Sequence, residues 1–155
     1  MKHVMCQDES FFRVIIRLSS DPRQALLQLL SLGEHAFMCD GLIVVSSFEL
    51  SVIIDVLACL NVQCPVNIIT GWLPVTILSQ LIINNINYIV DLPILKPLTN
   101  KERRALMNSL REMSAYQQAK IDNRCIKTVY NHRRNALSKL GARSVIGLLR
   151  RIKGG

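Results

Sequence analysis

Through residues 1–92 the chain alternates short, continuous apolar runs with stretches whose apolar residues recur every three or four positions. Phe11–Leu18 (FFRVIIRL), Leu42–Val45, Val66–Thr70 behind Pro65, and Ile86–Val90 read as strands. Between them, Asp21 as a cap and Pro22 at the first helical position open a helix through about Leu32, with Ala25, Leu26, Leu29 and Leu30 on one face. A second helical pattern spans about Glu49–Leu60, and residues 74–84 form a third. Strands separated by helices of this length need crossover connections, which predicts a small, mostly parallel α/β sheet covered on both faces.

The alternation stops at Asp91-Leu-Pro-Ile-Leu-Lys-Pro97, where Pro93 and Pro97 disfavour helix. The expected division is an α/β domain over 1–92, a linker over 93–97 and an all-α domain over 98–153. Thr99-x-x-Glu102 fits a capping box, and the helix it opens runs to about Arg111, burying Ala105, Leu106, Ser109 and Leu110. A short helix over Ala115–Ile121, a turn over Asp122–Cys125 and a long helix over Ile126–Leu140 follow, the last stopped by Gly141. A final helix over about Ser144–Ile152 carries Val145, Ile146, Leu148, Leu149 and Ile152.

Charge separates the two parts. Residues 1–97 hold five basic and eight acidic side chains, whereas residues 98–155 hold fourteen and three. The helical part therefore fits a polyanion partner, whose condensed counterions are released by clustered Lys and Arg, although a solvated basic face has the same composition. Between Asp55 and Asp91 no residue is charged, but Pro65, Gly71, Pro74 and several Asn interrupt the stretch. Strands buried on both faces account for it, and no membrane span is expected. The five cysteines (Cys6, Cys39, Cys59, Cys64 and Cys125) are odd in number and show no paired metal-ligand spacing. They read as buried, reduced thiols, and with Asp8 and Glu9 where a signal peptide would be apolar, a cytoplasmic protein without metal or cofactor is expected. His3, His35 and His132 lie far apart and no phosphate loop or nucleophile motif occurs, so an enzyme is not expected.

On a wheel of about 100° per residue, Ile126–Leu140 (IKTVYNHRRNALSKL) separates into two faces. Val129, Ala136 and Leu140, flanked by Leu137, form an apolar stripe; Lys127, Asn131, Arg134 and Ser138 lie opposite, with Tyr130 and Asn135 at the edges. That polar face suits a helix in the major groove, because Arg reads guanine and Asn reads adenine bidentately.

The spaced residues Leu98-Thr99-x-x-Glu102, Leu106, Ala119, Lys127-Thr128-Val129, Asn131-His132-Arg133 and Lys139-Leu140-Gly141 resemble the signature of NarL/LuxR-type output domains. The run KTVYNHRRNALSKL is similar to the subgroup of enterobacterial capsule and fimbria regulators. The resemblance implies a four-helix, helix-turn-helix domain whose third helix contacts bases through Tyr130, Asn131 and Arg134. It implies phosphate contacts from Lys127 and Thr128, with Arg133, Lys139 and Arg143 as further candidates, and dimerisation by the last helix through Val145, Ile146, Leu148, Leu149 and Ile152. Glu112, Gln118, Asp122 and Cys125 depart from the family pattern, replacing a Gly, an apolar residue, a Leu and the capping Ser.

Residues 11–92 look like a shortened, degenerate receiver domain. Val45 or Ser46 stands where the phosphoacceptor Asp would be and Asp91 roughly where the Lys would be, while Thr70 keeps its place and no acidic pair follows Phe11–Leu18. Aspartyl phosphorylation is therefore not expected. The reading is a phosphorylation-independent, sequence-specific bacterial transcription regulator that binds promoter DNA as a homodimer or as a heterodimer with a related regulator. The alternative is a protein-interaction module that modulates another regulator without specific DNA contact.

Overall fold

The computed structural model describes residues 13–34, 40–71, 74–83 and 89–154. Three parallel strands, β1 (Arg13–Arg17), β2 (Gly41–Ser46) and β3 (Val66–Thr70), pair in the order β1-β2-β3. Register is simple: Leu42 stands opposite Val14 on one side and Val66 on the other. The central strand is buried along its whole length, as its unbroken apolar sequence requires, whereas β1 alternates between exposed and half-buried positions. Phe11 and Phe12 lie outside the described residues, as do positions 86–88 of the strand expected at Ile86–Val90. Ile89 and Val90 belong to no strand, although the Val90 amide donates to the Val66 carbonyl at 2.8 Å.

Helix α1 (Pro22–Ser31) begins as its sequence indicates, with the Asp21 carboxylate accepting from the Gln24 amide at 3.1 Å. It passes into a 3-10 turn over Leu32–Glu34. Helices α2 (Leu50–Cys59) and α3 (Val75–Ile83) follow β2 and β3. Within the uncharged stretch, Val56 and Leu57 of α2 and Val66 of β3 are buried, but Val75 and Ile77 of α3 are exposed. Burial thus accounts for the α2 and β3 residues but not for Val75 and Ile77. Among the described residues no helix is long and apolar enough to cross a membrane.

Helices α4 (Asn100–Leu110), α5 (Ala115–Ile121), α6 (Ile126–Lys139) and α7 (Val145–Ile152) make up the rest. Local signals set their ends. Thr99 Oγ1 accepts from the Glu102 amide at 3.1 Å while Glu102 Oε2 accepts from the Thr99 amide at 3.0 Å, which closes the capping box of α4. Ser114 and Gln117 close a second one at α5. At the end of α6, Gly141 takes φ +69°, and the Ala142 amide reaches back to the Leu137 carbonyl at 2.9 Å. Glu112 is held at φ +62°. A left-handed conformation costs a residue with a Cβ about 1–2 kcal/mol.

Packing joins the two kinds of secondary structure. One hydrophobic cluster contains Leu26, Leu29 and Leu30 of α1, Ile53 and Leu57 of α2, Leu106 and Leu110 of α4, Ala136 of α6, and Leu148 and Ile152 of α7. Each fully buried Leu or Ile contributes about 1.5–3 kcal/mol. Polar links cross the same seam: the Leu98 amide donates to the Cys59 carbonyl at 2.8 Å, the Glu49 amide to the Ile152 carbonyl at 3.1 Å, and Arg23 Nη1 to the Leu110 carbonyl at 2.8 Å. Residues on both sides of the irregular stretch around 93–97 therefore share this cluster, while Ala115, Ala119 and Val129 form a second, smaller one within the helical part.

Candidate nucleic-acid interface

Helix α6 has one face fixed by burial. Val129, Ala136, Leu137 and Leu140 are buried against α4 and α5, which leaves the opposite side to solvent. Lys127, Tyr130, Asn131, Arg134, Asn135 and Ser138 are all exposed there, Tyr130 at 60%. The structure thus brings the three expected base-contacting residues, Tyr130, Asn131 and Arg134, onto one outward strip together with Lys127. Such a strip presents donors and a cation without first having to desolvate its own apolar residues.

The N-terminal turn of α6 differs from its expected form. Cys125 occupies the cap position in an extended conformation, but no side-chain cap bond to a helix amide forms. Its Sγ lies 2.9 Å from Thr128 Oγ1 instead. Cys125 is exposed, which corrects the expectation of a buried thiol, and the Thr128 hydroxyl and the nearby amides hold its pKa below the ordinary thiol value. Cys59 fits the expectation: it is buried, and burial followed by the nearby Asp55 carboxylate pushes its thiol up. Cys64 is half-buried, and Cys6 and Cys39 lie outside the described residues.

Two cations expected at phosphates face inward. Arg133 Nη2 donates to the Met113 carbonyl at 2.8 Å and to Gln118 Oε1 at 3.1 Å, and burial lowers the pKa of its guanidinium. Lys139 Nζ sits 2.6 Å from Glu102 Oε2 and 2.9 Å from the Pro97 carbonyl. Both are therefore corrected from phosphate ligands to ties between helices, because their donors already meet partly buried acceptors. Glu102 is held below the ordinary carboxylate value: burial pushes it up, but the hydrogen bonds from Lys139 and the Thr99 amide outweigh that. Thr128 and Arg143 remain on or near the surface, with Thr128 engaged by the Cys125 thiol.

The dimerisation expectation also divides. Leu148 and Ile152 are fully buried in the shared core, and Val145 and Leu149 pack partly against it. Only Ile146, at 63% exposure, stands clear. Arg151 reinforces this docking through the Leu140 carbonyl at 2.6 Å and Asp55 at 3.3 Å. Leu148 and Ile152 are thus removed from the candidate contact surface, since α1 and α2 already cover them.

The partners of Gln118 and Asp122 were missed by sequence reasoning. Gln118 is buried and accepts from Arg133; Asp122 pairs with Arg104 at 2.7 Å and lies 3.5 Å from Gln118 Nε2. The polar substitutions thus come as a connected set, and a signal existed in their departing together.

At the carboxyl ends of the strands, a cavity of about 430 Å³ is lined by Arg17, Ser19, Gln28, Ser46 and Ser47 among others. Ser46 closes β2, is buried, and accepts from the Phe48 amide at 3.0 Å. None of the described lining residues is acidic, and no cluster of metal ligands occurs among the described residues.

No protein-family model matches the chain, and no curated protein matches it either. Among solved structures, the chain is similar to RcsB from Salmonella enterica serovar Typhimurium, bound to promoter rprA in the presence of phosphomimetic BeF3-. That match has a TM-score of 0.40 and 19% identity and covers 91% of this chain and 74% of that one. Two further structures of the Salmonella typhimurium RcsB response regulator match with TM-scores of 0.35 at 18% and 20% identity, each covering 90% of this chain and 73% or 74% of the other.

Proposed function

We propose that this chain is a sequence-specific DNA-binding transcription regulator of the NarL/LuxR type, close to the capsule and fimbria regulators, acting in the bacterial cytoplasm. Helix α6 enters the major groove and reads bases through Tyr130, Asn131 and Arg134, while Lys127, Thr128 and Arg143 hold phosphates. The observation that carries this reading is the exposed polar strip of α6 set against its fully buried opposite side. Control does not pass through aspartyl phosphorylation, because Ser46 and not a carboxylate ends the central strand. The regulator works as a homodimer or with a related regulator, joined through the exposed edge of α7 at Ile146.

Genomic fragments captured by the full-length chain supply the operator, and anisotropy at several salt concentrations then measures its affinity. Arg134→Ala is expected to weaken operator binding by about 1–3 kcal/mol and to reduce preference over random DNA. Equal binding by Arg134→Ala and the parent chain across that salt range would remove α6 as the reading helix.

A second reading is favoured by the covering of α7. With Leu148 and Ile152 taken up by α1 and α2, the chain also suits an interaction module that alters another regulator. Failure of the full chain to enrich any genomic fragment, combined with capture of a response regulator, would favour that reading.

A further inference from the structure

Ile126, Tyr130 and Arg134 follow one another at every fourth residue of α6, which sets them in one row along the edge of its exposed strip. Ile126 is 40% exposed and Tyr130 60%. Neither belongs to the core, which takes Val129, Ala136, Leu137 and Leu140 from this helix. Two large apolar side chains one turn apart thus face water on the side of α6 that also carries Lys127, Asn131 and Arg134. Helix α6 contains no acidic residue, and Lys127 and Arg134 make no ion pair with any described residue. An exposed apolar pair alone fits many partners, but this one is set in a field that attracts a polyanion. Among the four bases of a DNA duplex, the major groove offers one apolar group on a base edge, the 5-methyl of thymine; the other positions are donors and acceptors.

We propose that Ile126 and Tyr130 select thymine, holding its 5-methyl group between them while Arg134, next in the row, takes a guanine. The inference rests on α6 as the groove helix and names the chemistry of one base that this helix requires. Cβ atoms one turn apart lie about 5–6 Å from each other, so one methyl group can reach van der Waals contact, about 3.5–4.0 Å, with both side chains. Taking the methyl and the two apolar surfaces out of water is favourable without any hydrogen bond. Cytosine is rejected at the same place, because it presents an amine donor and no methyl.

Duplexes carrying the operator captured by the full chain, with each thymine replaced in turn by deoxyuridine, test this contact. Deoxyuridine keeps the pairing and the O4 acceptor and lacks only the methyl. At one position or more, the replacement is expected to weaken binding by the parent chain about fourfold, the worth of one buried methyl group. That loss stays the same across salt concentrations, since a methyl contact releases no counterions. Ile126→Ala and Tyr130→Ala are expected to bind the thymine and deoxyuridine duplexes equally, whereas Tyr130→Phe, which keeps the ring, retains the loss. Both side chains are exposed, so these variants should melt close to the parent chain. A scan without a sensitive thymine, or a loss that persists in both alanine variants, overturns the proposal. If Arg134→Ala still weakens the operator in that case, the groove reading stands and the methyl contact alone fails. Arg134→Ala without effect, or no operator captured at all, ends both.

Discussion

The outer strip and the inner flank of α6 are built from the same residue types and serve different purposes. Arg133 and Arg134 are neighbours in sequence, yet one ties α6 to Met113 and Gln118 while the other stands in solvent. Lys127 and Lys139 repeat the contrast at the two ends of the helix. A cation next to buried carbonyls lowers the cost of their burial; one in water leaves its donors available to a ligand. What distinguishes the two sets is the neighbour that each meets, which depends on a rotation of about 100° per residue and on the packing of α4 and α5.

The largest effect that would sharpen this contrast comes from beneath the flank. Leu148→Ala removes a fully buried side chain shared by α7 and the sheet-side helices, and is expected to cost about 2–5 kcal/mol in urea denaturation. A loss below about 0.5 kcal/mol would mean that α7 is not docked as described. Next come the neighbouring arginines. Arg133→Ala strands the Met113 carbonyl and the Gln118 amide oxygen, costing about 2 kcal/mol of stability, while Arg134→Ala changes stability by less than about 0.5 kcal/mol. Equal losses in the two variants would erase the division between flank and strip.

Much of the helical half was legible in sequence because its ends carry their own chemistry. Thr99 with Glu102 and Gly141 act within one turn, so no tertiary knowledge is needed to place them; the equally local box of Ser114 with Gln117 went unread. The apolar stripe of Val129, Ala136 and Leu140 follows from periodicity alone. The partners of Arg133 and Lys139 were not legible, since Met113, Gln118 and Pro97 lie 15 to 42 residues away in sequence. The covered side of α7 was hidden for the same reason: amphipathic spacing shows that Leu148 and Ile152 need burial and is silent about whether α1 or a second chain provides it. In the sheet half, apolar runs indicated strands, but the exposed Val75 and Ile77 of α3 show that an uncharged stretch is not always interior.

Smaller effects test the turn and the tie. Glu112→Gly relieves a left-handed conformation and is expected to raise stability by about 1 kcal/mol, less any contribution from the 3.8 Å pair with Arg23. A decrease on thermal melting would show that the Arg23 pair outweighs the strain. Acid sensitivity addresses the Glu102–Lys139 tie. A carboxyl with depressed pKa contributes stability above its unfolded value, and that contribution is lost as pH falls through the folded value. Lys139→Met should therefore be less stable than the parent at neutral pH, with the gap narrowing as pH falls below the ordinary carboxylate range and Glu102 takes up its proton. A gap that stays constant with pH would put the contribution of Lys139 in its contact with the Pro97 carbonyl.

The core that links the sheet helices to α4, α6 and α7 has a consequence for cooperativity. Calorimetry should record one unfolding transition, with van't Hoff and calorimetric enthalpies in agreement, because neither half keeps its buried surface when the other melts. Protease cutting near the prolines would accordingly release no independently folded helical fragment. Any event that loosens α1 or α2 is felt directly at α4 and α7, and at α6 through the Cys59 thiol, whose Sγ lies 3.6 Å from the Lys139 carbonyl.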